Sequence, residues 1–236
     1  MQIFLCGGGD GKQTIEANKR FNEIINHSKP LLYIPLAMSN KKYSSCFEWI
    51  KEELKDVEIP SIDMITSATE ILTKNLKDYC AIFIGGGNTF KLLNDLKISG
   101  AFEKIREYIN EDGIVFGGSA GAIIFGKNLK SCAIDDINEV NLEDISGFDI
   151  LNGYSLLCHY TNRTKEKDEE SKVYLLELSK QEKIIALPEE DTIFVNKDTI
   201  EVIGNRPYYL FKNGKVIELK KGDKNEITYK YRKYIK

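Results

Sequence analysis

No stretch of the chain approaches the ~20 consecutive apolar residues of a membrane-spanning helix, and the opening Met1-Gln2-Ile3-Phe4-Leu5-Cys6 lacks the basic start and cleavage site of a signal peptide. A cytoplasmic protein that begins folded is therefore expected, with no membrane partner. Charge of one sign is also lacking: the net charge is −3, with lysines interleaved among glutamates. That excludes a general affinity for nucleic acid. No CxxC pair occurs among Cys6, Cys46, Cys80, Cys132 and Cys158, so neither a zinc site nor a redox pair is supported and free thiols are expected. Neither GxxxxGK[ST] nor a complete GxGxxG fingerprint is present, which argues against a nucleotide cofactor. Linkers, repeats and low-complexity segments are missing as well, and 236 residues fit one domain spanning 1–236.

What is present is an alternation of short apolar runs with amphipathic segments. Residues 3–6, 31–35, 62–66, 81–84 and 114–116 read as strands; 13–26, 44–55, 88–96 and 101–110 read as helices. This order predicts an α/β fold: a doubly wound, mostly parallel sheet with helices on both faces. After Lys183 the strands 184–187, 192–195, 200–203, 208–211 and 215–219 follow with only turns between them, predicting antiparallel strands at the C-terminal edge. Asn213-Gly214 between the last two is a type I′ hairpin signal.

Three glycine clusters each follow a strand: Gly7-Gly8-Gly9, Gly85-Gly86-Gly87 and Gly117-Gly118. In a doubly wound sheet the strand C-termini converge on one side, where ligands bind. Gly117-x-Ser119-x-Gly121 has the spacing of a nucleophile elbow, in which a sharp strand-to-helix turn projects a serine hydroxyl above the sheet. A plain glycine-rich turn with an N-capping serine fits the same spacing.

A serine nucleophile needs a base, and histidine is scarce: only His27 and His159. His27 follows the first helix, at the end of the sheet away from the strand C-termini. His159 ends the apolar run 154–158 and lies on the correct side. Cys158 beside it is a weak alternative nucleophile, because neighbouring strand residues point to opposite faces. The acid that orients the imidazole is open between Asp135 or Asp136 and the group Glu189, Glu190 and Asp191. The polar segment 160–170 is expected to be a mobile loop.

Gly85-Gly86-Gly87-Asn88-Thr89, the stretch Gly117-Gly118-Ser119-Ala120-Gly121-Ala122, the Asp135-Asp136 pair, His159 and Pro188-Glu189-Glu190-Asp191-Thr192 occur in the order seen in the dipeptidase E and cyanophycinase family of serine peptidases, which the whole chain resembles. The resemblance implies a class I glutamine amidotransferase-like, flavodoxin-like fold. It also implies a catalytic Ser119, His159 and Glu190, with Asp135 as a further acid. Gly87 or Asn88, with Ala120, would supply oxyanion-hole N–H groups. The family's Thr-Arg-Glu step reads Thr164-Lys165-Glu166 here, so Lys165, or Arg163 beside it, would bind substrate. The implied activity is a serine peptidase acting on small peptides with an N-terminal aspartyl residue, with isoaspartyl or other small amides as alternatives and a non-catalytic small-molecule binder as the reading of another class. No cofactor or metal is expected, and a monomer or homodimer is.

Overall fold

The computed structural model describes residues 1–197 and 199–223. Two sheets organise it. The larger has seven strands: β1 (Gln2–Cys6), β2 (Leu31–Ile34), β3 (Ile62–Met64), β4 (Ala81–Ile84), β5 (Ile114–Gly118), β8 (Thr192–Asn196) and β9 (Thr199–Ile203), in the order β3-β2-β4-β5-β1-β8-β9. The first five are parallel; β8 and β9 add antiparallel at one edge.

Alternation along the central strands explains why both faces are covered. Phe4 and Cys6 of β1, Leu31 and Tyr33 of β2, and Ala81 and Phe83 of β4 belong to one apolar cluster. Ile3, Leu5, Leu32, Ile34, Ile82 and Ile84 belong to the other. Successive side chains on a strand point to opposite faces, so an unbroken apolar run must be buried on both. Helices α1 (Ile15–Asn22) and α2 (Tyr43–Glu53) cover the first face through Phe21 and Ile50. There Phe83, Phe116, Phe4 and Phe194 stack across four neighbouring strands at centroid spacings of 4.8, 5.4 and 4.4 Å. The other face receives α3 (Ala68–Thr73), α4 (Thr89–Ser99), α5 (Ala101–Asn110) and α6 (Ala120–Ile123).

The C-terminal strands depart from the expectation of a single sheet edge. Only β8 and β9 join the large sheet. β7 (Lys183–Ala186), β10 (Tyr208–Lys212) and β11 (Lys215–Leu219) form a second sheet with β6 (Tyr154–Leu157), in the order β11-β10-β7-β6. β6 and β7 are parallel, joined by helix α7 (Lys165–Leu178). A parallel pair needs a crossover, so the helix between them takes both strands away from the hairpin pattern. Asn213 and Gly214 between β10 and β11 have φ of 53° and 69°, as a type I′ turn requires. The polar segment 160–170, expected as a mobile loop, instead runs into α7, whose first turn is capped by the Thr164 hydroxyl accepting from the Lys167 N–H.

Because β4, β5 and β1 are neighbours, the three glycine turns that follow them meet above adjacent strand ends. The end of β6 reaches the same place: the His159 N–H donates to the Gly7 carbonyl at 2.8 Å.

Candidate active site

Ser119 sits between β5 and α6 with φ 51° and ψ −113°. A positive φ on a non-glycine residue costs of order 1–3 kcal/mol and persists only where the surroundings impose it. Here the glycines at 117 and 121 permit the turn that holds it. A Cβ on Gly117 would lie 2.2 Å from the Gly121 carbonyl oxygen, and one on Gly121 would lie 2.1 Å from that of Ile84. The turn therefore closes so tightly that both positions exclude any side chain. Its geometry is that of a nucleophile elbow, and the Ser119 carbonyl accepts from the Ala122 and Ile123 N–H groups at 2.8 and 2.9 Å.

The elbow aims Ser119 Oγ at His159 Nε2, 2.9 Å away. On the far side of the ring, Nδ1 lies 2.8 Å from Glu189 Oε1. A carboxylate acceptor at Nδ1 requires the ring proton there, which leaves Nε2 free to accept from the serine hydroxyl. His159 and its neighbour Thr161 both have positive φ, 58° and 67°. Gly8 forms the floor under the imidazole: a Cβ there would fall 2.2 Å from His159 Cε1 and 2.6 Å from Nε2.

The carboxylate paired with His159 is thus that of Glu189, which corrects the expectation of Glu190. Asn162 explains why the two side chains divide. Its Oδ1 accepts the Glu189 N–H at 2.8 Å, and its Nδ2 donates to Glu190 Oε2 at 3.0 Å. Arg206 Nη1 holds the other Glu190 oxygen at 3.0 Å. Burial raises the Glu190 carboxyl, but the Asn162 bond and the Arg206 charge outweigh it and bring it below the ordinary value.

The other expected residues are distributed as follows. A cleft of about 240 Å³ is lined by Ser119, His159, Gly87, Asp135, Asp136 and Arg163, among others. Arg163 Nη2 donates to Asp135 Oδ2 at 2.5 Å and to the Cys158 carbonyl at 3.0 Å, and Nη1 donates to Ser171 Oγ at 3.0 Å. Burial pushes the Asp135 carboxyl above its usual range despite the opposing Arg163 charge. Asp136 turns to helix α4, accepting the Thr89 N–H at 2.8 Å. The Gly87 and Ala120 N–H groups have no acceptor among the described residues, whereas the Asn88 N–H is committed to the Ala37 carbonyl at 2.9 Å. Asn88 is therefore removed from the expected pair of N–H donors. A Cβ on Gly87 would meet that same Ala37 carbonyl oxygen at 2.5 Å, so the close approach also needs glycine. Lys165 is corrected too: it opens α7 as an exposed residue and does not line the cleft.

His27 lies just before β2, with Nδ1 2.9 Å from the Glu58 carbonyl oxygen, at the opposite end of the parallel strands. Cys158 also lines the cleft but is buried and does not face the imidazole as Ser119 Oγ does. Its Sγ contacts the Cys6 and Ser119 carbonyl oxygens, and burial raises its thiol well above the ordinary value. Sequence reasoning missed Gly8, Asn162 and Arg206. Only Gly8 carried a signal, as part of a glycine cluster after a strand.

Asp191 follows the two glutamates and is fully buried. Burial pushes its carboxyl up to about 7, and the Arg206 N–H donating to Oδ1 at 3.2 Å only partly offsets this. Between the ordinary aspartate value near 3.9 and about 7, the folded protein retains a proton that the unfolded chain releases. Stability contributed by the neutral form is therefore lost as pH rises through that window and levels off above it. Asp191→Asn keeps the acceptor without the charge. Its stability advantage over wild type should grow between pH 5 and pH 8 to on the order of 2–4 kcal/mol, measured by urea unfolding. An advantage independent of pH would refute this account.

Residues 3–203 match the model of peptidase family S51. The chain belongs to peptidase family S51. Peptidase E of Nostoc sp. (strain PCC 7120) is 28% identical to this S51 chain over 195 residues, covering 79% of this chain and 77% of that one. Peptidase E of Shewanella denitrificans is 29% identical over 194 residues, covering 78% and 79%. Among solved structures, a candidate peptidase E from Listeria monocytogenes EGD-e superposes with a TM-score of 0.69 at 25% identity, covering 87% of this chain and 98% of that one. A peptidase from an acI-B1 Actinobacterium shares the fold at 18% identity, with a TM-score of 0.71 and coverage of 94% and 95%. The S51 protein is accordingly a serine-type peptidase, and its fold is the flavodoxin-like, glutamine amidotransferase-like α/β arrangement expected. No helix among its described residues is long and apolar enough to cross a membrane.

Proposed function

We propose that the protein is an aspartyl dipeptidase whose catalytic line is Ser119, His159 and Glu189. The observation that carries this reading is the continuous hydrogen-bonded path from Ser119 Oγ through the imidazole to Glu189, with steps of 2.9 and 2.8 Å. His159 Nε2 takes the hydroxyl proton as Ser119 Oγ attacks the amide carbonyl. Glu189 holds the ring and stabilises the imidazolium that forms. The Gly87 and Ala120 N–H groups receive the oxyanion, since neither is committed to an acceptor among the described residues. His159 then gives its proton to the leaving amine, the C–N bond breaks, and water activated by the same imidazole releases the acyl group from Ser119.

The cleft's size and charge support this substrate class. About 240 Å³ admits a small peptide end, not a folded chain. Arg163 and Asp135 bring opposite charges into the cleft with Ser119. An N-terminal aspartyl residue carries a carboxylate and an ammonium group within a few bonds of its carbonyl. Arg163 would meet the carboxylate and Asp135 the ammonium.

The test is a panel of Asp-X and β-Asp-X dipeptides with neutral controls. Turnover of Asp-X is expected, and Ser119→Ala should lower kcat by about 10³-fold or more. A fluorophosphonate should add to wild type and not to Ser119→Ala, by intact mass. Labelling with β-Asp-X turnover alone would move the substrate to isoaspartyl peptides. No adduct on wild type would overturn the serine-nucleophile reading.

A further inference from the structure

We propose that Gln13 is a positioning residue for the reaction, selecting which oxygen of Glu189 faces His159; this rests on the reading of Glu189 as the acid of the catalytic line. The Glu189 side chain is about a quarter exposed, 27%, so neighbouring side chains must fix how its carboxylate is rotated. Two donors do so from opposite sides. Oε1 meets His159 Nδ1 at 2.8 Å, and Oε2 accepts from Gln13 Nε2 at 2.9 Å. With one oxygen tied to Gln13, the other is held toward the imidazole. Rotation of the carboxylate would have to break both bonds.

The orientation of Gln13 is itself constrained. Its Oε1 accepts the Asp10 N–H at 3.3 Å, which turns the amide so that its N–H faces Glu189. Its backbone N–H donates to the Asp10 carbonyl at 3.0 Å, closing the short turn. Gly9 permits the approach, because a Cβ there would lie 2.8 Å from Gln13 Cβ and 2.4 Å from the Glu189 carbonyl oxygen. The turn is pinned from α2 by Glu53. Its Oε2 accepts the Gly11 N–H at 2.7 Å, and its Oε1 accepts from the Thr14 hydroxyl and from Asn18 Nδ2. Alignment of the imidazole with Ser119 therefore depends on a chain of contacts running from α2 to Gln13 and on to Glu189. Catalysis is sensitive to displacements of this size: about 1 Å of misplacement can cost of order 100-fold.

The experiment measures fluorophosphonate labelling of Ser119 at saturating and subsaturating reagent, which requires no knowledge of the natural substrate. Gln13→Ala, and the similarly sized Gln13→Leu, should lower the maximal labelling rate about 10- to 100-fold, with the half-saturating concentration within about twofold. In a Glu189→Gln background the same substitutions should change the rate by less than about twofold, since the contact they remove no longer matters. Unfolding midpoints of all variants are measured alongside, and a variant that does not fold is replaced by its partner. Equal losses in both backgrounds, or an unchanged rate in Gln13→Ala and Gln13→Leu while Glu189→Gln is damaged, would overturn the role of Gln13 alone. Full labelling of Glu189→Gln would overturn the catalytic reading of Glu189 and this inference with it.

Discussion

Glu189→Gln should lower kcat/KM by about 10³- to 10⁴-fold, whereas Glu190→Gln should stay within about tenfold of wild type. The contrast follows from what each carboxylate touches. Glu189 is the acceptor at His159 Nδ1, 2.8 Å away. An amide in its place can present an N–H instead, pushing the ring toward the tautomer whose proton sits on Nε2. That nitrogen could then no longer accept from Ser119. Glu190 is held by Asn162 and by Arg206, a pair whose arginine side chain is 43% exposed. An exposed ion pair contributes about 0–1 kcal/mol, so neutralising Glu190 mainly loosens a surface clamp. The check is kcat/KM for wild type and the two variants on one Asp-X dipeptide, with labelling rates beside it. A crippled Glu190→Gln beside an active Glu189→Gln would mean that the acid has been misassigned.

Gly8→Ala should lower activity at least about 10²-fold while the protein remains folded. The new methyl would fall 2.2 Å from His159 Cε1, and Gly8 has φ 108°, a conformation that side-chain-bearing residues rarely adopt. The imidazole is the softer of the two partners, being about one-third exposed, so it yields first. Moving it by the ~1 Å needed for ordinary contact breaks the bond to Ser119, and a loss of at least about 10²-fold is expected. The stability cost should be of order 1–3 kcal/mol from the backbone and local repacking. Gly100→Ala is the control. It has φ 82° but nothing within 4 Å of its Cβ, and it lies between α4 and α5. It should lose a comparable backbone increment and keep full labelling. If Gly8→Ala labels at the wild-type rate, the glycine is not required beneath the ring.

These predictions bear on residues of unequal visibility in the sequence. Ser119 was legible because an elbow demands glycine on both sides, and Gly117 and Gly121 do meet backbone at 2.2 and 2.1 Å. His159 was legible because the chain has only two histidines and the other precedes a parallel strand instead of following one. Asn88 departs from its expected role for a complementary reason. Its type and place fit an oxyanion donor, but the Ala37 carbonyl that takes its N–H comes from the loop after β2, distant in sequence. Lys165 is expected only from a short step shared with the family, and at the capped start of α7 it faces solvent.

Residue type and spacing were enough for the two-faced parallel sheet, since apolar runs in which every residue is buried can be satisfied only with helices on both sides. They were also enough to bring three glycine turns to one sheet end, whereas His159 follows β6 of the second sheet and joins them through its N–H to the Gly7 carbonyl. They did not choose among Glu189, Glu190 and Asp191, which are consecutive in one turn and chemically close. That choice fell to contacts made by distant segments: Gln13 and His159 take Glu189, Asn162 and Arg206 take Glu190, and burial raises the Asp191 carboxyl to about 7. Local pattern records which groups a turn offers. Which of them does chemistry depends on donors and solvent exposure supplied by the rest of the fold.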